Sequence, residues 1–209
     1  MNELERSRPV ASIAELESLY GPVPDHGYTK ETGFLHPHYR ALIAASPFAV
    51  LATSGAHGLD ASPRGDAAGF VHIEDDKTLL LPDRRGNNRI DSLRNIVRDP
   101  RVALLFLIPG IGETLRVQGR ATIHTAPALL DRFGVDGKPP RSVLVIEVDC
   151  VFFQCSRAIK RSELWNPARH LERSALPSTG TILQDINEGR FDGDKYDREL
   201  PDRVKATLY

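Results

Sequence analysis

Phe48-Ala49-Val50-Leu51-Ala52-Thr53 is the stretch on which the reading of the fold turns. Before it, apolar residues recur at helical spacing. From it onward they come in short runs bounded by Gly, Pro, Asp and Asn, and these six residues read as a buried strand. Leu59–Pro63, Gly69–Ile73, Thr78–Leu81, Arg101–Ile108, Thr114–His124 and Val143–Cys155 read as further strands, the last dominated by Val, Ile and Phe. Glu74-Asp75-Asp76-Lys77 reads as a hairpin turn. Only short helices interrupt the series: Asn88–Val97, with Ile90, Leu93, Ile96 and Val97 on one side, and Pro127–Phe133. Strands joined by short turns argue for antiparallel pairing in a closed or nearly closed β-barrel of six to seven strands. A doubly wound sheet would want a helix after nearly every strand.

Upstream, Ser12-Ile13-Ala14-Glu15 forms a capping box, and the helix it starts carries Ile13, Leu16 and Leu19 on one face until Gly21-Pro22. Residues 21–36 are turn-rich. Pro37 suits the first position of a second helix running through Ile43 and closed by Ser46-Pro47. After Trp165 the chain turns polar, and from Gly189 it is charged, which reads as a surface or partner-wrapping tail. The expected division is a helical extension packing on the barrel (1–47), the barrel (48–166) and a polar, partly helical extension (167–209).

Composition narrows the function classes. The 209 residues include 27 Lys+Arg against 28 Asp+Glu, a net charge of −1, which removes the broad basic footprint of a general nucleic-acid binder. No apolar run approaches the ~20 residues needed to span a bilayer, so no membrane partner is expected. Met1–Val10 is charged and lacks the apolar core of a signal peptide. Two cysteines cannot build a disulfide scaffold, so the expected address is cytoplasmic.

Most catalytic signatures are missing. Gly134–Lys138 touches the phosphate-loop pattern, but Pro139 stands where a hydroxyl should follow, so the segment reads as a turn. There is no Gly-x-Gly-x-x-Gly after a strand and no Gly-x-Ser-x-Gly elbow. His36-x-His38 lacks an acidic or Cys partner at ligand spacing, the next histidine being His57, so no metal is expected. Cys150 and Cys155 read as two small buried hydrophobes rather than a redox or zinc pair. His72 and His124 lie in strands, and no acid/base pair stands out, leaving the catalytic residues unassigned.

Pro82-Asp83-Arg84-Arg85-Gly86-Asn87-Asn88-Arg89 is different. It packs three arginines, two amides and a glycine between a strand end and a helix start. A helix N-terminus offers free N–H groups, and flanking arginines offer forked donors, a combination that suits a terminal phosphate. Arg64, in Ser62-Pro63-Arg64-Gly65-Asp66, ends a neighbouring strand and adds a cation from across the sheet. A solvated charged loop with an Asn cap is the plainer alternative.

Together with Pro100-Arg101-Val102-Ala103-Leu104-Leu105-Phe106 and Glu113-Thr114-Leu115-Arg116-Val117-Gln118-Gly119-Arg120-Ala121, these segments resemble, in order, the pyridoxamine 5′-phosphate oxidase-like superfamily of flavin-binding split barrels, over about Phe48–Trp165. The resemblance implies a homodimer with FMN in two equivalent sites at the subunit interface. Arg64 and Arg89, with Arg85 in the same loop, would take the FMN phosphate. Asn87 and Asn88 would bond it or cap the helix behind it. Pro82 and Asp83 would lie along the flavin ring, offering backbone groups, and Thr114 would reach it from the other subunit. Cys155–Trp165 resembles a second motif of an uncharacterised bacterial branch, which places Arg161 and Trp165 near the cofactor or substrate pocket; Trp165 equally suits sealing a helix onto the barrel. The chain departs from the true pyridoxamine-phosphate oxidases in two places. Gly65–Gly69 lacks their lysine, and Arg198–Arg203 lacks their Arg-His pair. The implied activity is flavin-dependent oxidoreduction of a small molecule with NAD(P)H or oxygen as redox partner, with Arg116 or Arg161 as the cation beside the reduced flavin. A flavin-binding module without turnover, or a barrel using deazaflavin or haem, are the alternatives.

Overall fold

A computed structural model describes residues 8–24, 27–56 and 58–209. Met1–Ser7 and His57, named above, lie outside the described residues. The chain divides into two units, Met1–Glu31 and Thr32–Tyr209. In the first, helix α1 (Ile13–Leu19) starts on the expected cap: the Ser12 hydroxyl accepts from the Glu15 N–H at 3.1 Å, and the Glu15 carboxylate accepts from the Ala11 N–H at 3.1 Å.

The second unit opens with helix α2 (Pro37–Ala45), on which Pro37 occupies the first turn and the His36 ring nitrogen caps the His38 N–H. Seven strands follow: β1 (Phe48–Gly55), β2 (Gly58–Gly65), β3 (His72–Ile73), β4 (Thr78–Asp83), β5 (Arg101–Leu107), β6 (Thr114–His124) and β7 (Ser142–Gln154). All pair antiparallel, in the order β2-β1-β5-β6-β7-β4-β3. Alternation in the sequence becomes alternation of burial: Ala49, Leu51 and Thr53 of β1 face inward, as do Val102, Leu104 and Phe106 of β5. Leu79, Leu81, Leu115, Val117, Leu144 and Ile146 complete the interior, and Ile43 and Ile96 reach it from helices. Long β6 and β7 stay paired through a bulge between Gln118 and Gly119. A Cβ at Gly119 would stand 2.1 Å from the Glu147 carbonyl oxygen, so only glycine fits there.

The sheet coils but its pairing stays open. Edge strand β2 carries Arg64 into a cleft shared with Asp83 of β4 and Ser142 of β7, from the opposite half of the sheet. This is a split barrel, and the split is where the arginines gather. Helix α3 (Asp91–Arg98) is pinned beside it: the Ser92 hydroxyl donates to Asp60 of β2 at 2.8 Å, and the Asn95 amide donates to Thr53 of β1 at 3.0 Å.

Several boundaries differ from the sequence reading. Of Gly69–Ile73 only His72–Ile73 is strand, because Gly69 sits at φ 83° in a turn held to α2 by the bond from its N–H to Ser46 O. The helix placed at Asn88–Val97 begins at Asp91, since Asn88 has φ 61°, outside helical geometry. The Pro127–Phe133 helix, α4, ends at Asp131. Cys155 is exposed rather than buried, because β7 ends at Gln154. Beyond β7 come α5 (Arg157–Ser162), α6 (Thr179–Ile186) and α7 (Gly193–Ala206). Helices α6 and α7 cross backbone to backbone at Gly180 and Gly193, and Asp197 accepts from the Gly180 N–H and the Ser178 hydroxyl. Among the described residues no helix is long and apolar enough to cross a membrane, and no three His, Cys, Asp or Glu side chains gather as a metal site.

Candidate functional site

The loop between β4 and α3 is shaped by its amides. Asn87 accepts from the Arg89 N–H at 3.0 Å, an Asx turn, and Asn88 supplies the left-handed residue that turn needs. The Asn88 side chain also accepts from Arg141 at 2.9 Å, tying the loop to the residue that precedes β7. Neither asparagine caps the helix. Ile90 holds the cap position and makes no side-chain cap bond.

Arg84 is a clamp. Its guanidinium donates to Asp66 at 2.9 Å and to the Phe133 carbonyl at 2.6 Å, so it holds the segment after β4 against the segment after β2, across the split. The Tyr209 hydroxyl donates to the other oxygen of Asp66 at 2.8 Å. Burial alone would raise the Asp66 carboxyl, but the Ala67 N–H, Tyr209 and Arg84 together hold it below its ordinary value.

Around a cavity of about 140 Å³ stand the guanidinium groups of Arg64, Arg84, Arg85, Arg89 and Arg141 against one carboxyl, Asp83. Burial pushes that carboxyl up, while Arg64 and Arg141 pull it down. Arg85 makes no hydrogen bond or ion pair among the described residues. Arg89 is exposed and engages Asp91 at 2.5 Å, one acceptor for a forked donor. The Nε of Arg64 is buried and has no hydrogen-bond partner among the described residues. Such a donor costs about 1–3 kcal/mol when left unmade, so the cleft lacks an acceptor that the chain does not provide. Pro82 is buried in β4, paired with Val143; having no N–H, it has only a carbonyl to offer. The Asp83 carbonyl is already approached by the Arg141 N–H at 3.4 Å.

Thr114, Arg161 and Trp165 are elsewhere. Thr114 opens β6 opposite Gln154 at one end of β7, whereas Asp83 pairs with Ser142 at the other. Twelve residues of strand separate the two ends, about 40 Å. Trp165 is half-buried and its indole N–H donates to the Ile111 carbonyl at 2.8 Å, securing the turn between β5 and β6. Arg161 is exposed on the last turn of α5. Arg116 lies over the Phe152 ring, 5.3 Å from its centre. His72 sits among Glu74, Arg132 and Phe133, and His124 bonds Thr122.

Sequence reasoning missed Arg141 and Lys138. Their segment read as a turn before a strand, and only the pairing of β4 with β7, some 60 residues apart, brings it to the arginine loop. The lone signal was two basic residues bracketing Pro139-Pro140.

Residues 35–155 match the family model described as pyridoxamine 5′-phosphate oxidase. Among solved structures, HupZ of Group A Streptococcus is similar at 21% identity, covering 58% of this chain and 94% of that one, with TM-score 0.48. A candidate pyridoxamine 5′-phosphate oxidase of Lactobacillus delbrueckii gives 22% identity, 58% and 95% coverage and TM-score 0.46. A Clostridium acetobutylicum protein related to general stress protein 26 of Bacillus subtilis gives 15% identity, 56% and 86% coverage and TM-score 0.45. No curated protein matches the chain.

Proposed function

This chain belongs to the pyridoxamine 5′-phosphate oxidase family, which includes oxidoreductases, and we propose that it binds FMN and works as a flavin-dependent oxidoreductase on a small molecule. One observation carries the reading: the buried, unpartnered Nε of Arg64 in a cleft walled by five guanidinium groups. A phosphate supplies the missing acceptor, offsets the mutual repulsion of the arginines, and matches their forked donors.

In this reading Arg64, Arg85 and Arg89 hold the phosphate oxygens, and the start of α3 faces the same cleft through Ile90 and Leu93. Asn87 and Asn88 act mainly by holding the loop in shape, since both side-chain oxygens are already engaged. Pro82 and Asp83 flank the ring at the end of β4. Thr114, Arg161 and Trp165, too far along β7 to serve the same cleft in one chain, serve it from the second copy of a homodimer. Bound flavin supplies hydride and electron transfer, with NAD(P)H or oxygen as redox partner. Arg161 or Arg116 then stands as the cation that favours negative charge on the ring's pyrimidine edge. The missing lysine in Gly65–Gly69 and the missing Arg-His pair in the tail argue for a substrate other than pyridoxamine phosphate. In this reading the protein works in the cytoplasm, in keeping with its two free cysteines.

Titration of the purified protein with FMN, followed by dialysis, tests the reading. A retained flavin spectrum, bleached anaerobically by NADPH or NADH, is the expected result. Retention without reduction by either would mark a flavin-binding module. A haem or deazaflavin spectrum in the protein as isolated, with no FMN retained, would replace the cofactor.

A further inference from the structure

Lys138 belongs to a segment the flavin site leaves unused. Val135 and Lys138 exchange backbone bonds of 3.1 and 2.9 Å, and Asp136 and Gly137 between them have φ of 49° and 73°. This is the two-residue turn that Asp-Gly pairs favour. Pro139 and Pro140 follow with fixed φ and lead to Arg141. Stiff backbone therefore presents Lys138 beside the arginine loop.

There Lys138, Arg84, Arg85 and Arg141, with the two prolines and Tyr209, line a cavity of about 170 Å³. Arg84 is matched by Asp66, and no carboxylate side chain lines the space. Among the described residues the Lys138 ammonium donates to the Tyr209 main-chain oxygen, at 3.3 Å, and the Arg141 guanidinium to Asn88. Arg85 and Arg141 also wall the phosphate cleft, whereas Lys138 does not reach it. Like charges around a small cavity repel one another, and an anion is their natural complement.

We propose that this cavity takes a second phosphoryl group, adjacent to the one in the Arg64 cleft and gripped by Lys138, Arg85 and Arg141. The inference rests on the FMN reading above. The group arrives either joined to the first as a diphosphate, as in FAD, or on a separate nucleotide.

Fluorescence titrations with FMN and FAD on the wild type, Lys138→Glu and Lys138→Arg separate these sources. For a joined group, the wild type and Lys138→Arg bind FAD about tenfold more tightly than FMN, and Lys138→Glu loses that advantage while its FMN affinity stays within about twofold. For a separate group, FAD has no advantage, and the FMN-loaded wild type binds 2′,5′-ADP about tenfold more tightly than FMN-loaded Lys138→Glu. If FMN binds but neither FAD nor 2′,5′-ADP responds to Lys138→Glu, the second anion site is wrong and the flavin site stands. If the wild type binds no FMN, both readings fall.

Discussion

The two ends of β7 are built on different logic. At the Ser142 end, three separate pieces of chain converge on one cleft: Arg64 from β2, Asp83 of β4 with the 84–90 loop, and Arg141. Cations outnumber acids there, and a buried donor waits for an acceptor. At the Gln154 end, polar groups already have work within the chain. The Trp165 N–H holds Ile111, and Arg116 covers Phe152. One end is an unfinished charge arrangement; the other is a finished structural one that presents Thr114 and Arg161 outward. An unfinished end suits a ligand, and in the proposed homodimer the second copy would add the surface that a ligand longer than the cleft needs.

The largest expected break comes at the unfinished end. Arg64→Ala should weaken FMN binding by roughly tenfold to a hundredfold, the cost of one or two charge-assisted phosphate bonds of ~1.5–3 kcal/mol. Arg64→Lys should recover part of this, because it restores the charge without the fork. Equilibrium dialysis reads both, and unchanged affinity in Arg64→Ala would remove the phosphate site.

Asp66 comes next, in stability rather than binding. Its carboxyl is held below the ordinary value, so the native state favours the ionised form. That stabilisation is fully present above about pH 4 and fades as pH falls through the lower folded-state value. Asp66→Asn should lower stability by about 1–3 kcal/mol at neutral pH. It should also flatten the acid limb of the urea-midpoint profile. An unaltered acid limb would show that the Arg84 clamp is not what holds the split.

Trp165→Phe should have the smallest effect. It keeps an aromatic ring but trims the indole and removes one hydrogen bond, for about 1–2 kcal/mol of stability, measured by denaturant midpoint. A collapse of FMN binding with stability intact would show that the Trp165 N–H matters to the cofactor more than to the turn at Ile111.

The same contrast explains what was legible in the sequence. Strands announce themselves through local alternation, and β6 matches its expected Thr114–His124 limits. Arg64 and the 82–89 loop were visible because they are dense in one chemistry at a strand–helix junction. Arg84 was misleading for that reason: it carries the same side chain as its neighbours, but Asp66, brought close only by the coil of the sheet, turns it into a clamp. Arg141 and Lys138 were silent because their role depends on β4 pairing with β7, a register no local pattern encodes. The helix start slipped by three residues because Asn88 serves the turn instead of the helix.

In the proposed homodimer one FMN site draws its phosphate end from one copy and its ring end from the other. Mixing Arg64→Ala with Arg161→Ala chains after mild dissociation tests it. Each variant alone should retain little FMN. The mixed dimer carries both defects in one site and none in the other, so it should regain up to one tightly bound FMN per two chains. A mixture that binds no more than the average of its parents, or a protein that stays monomeric, would contradict the account.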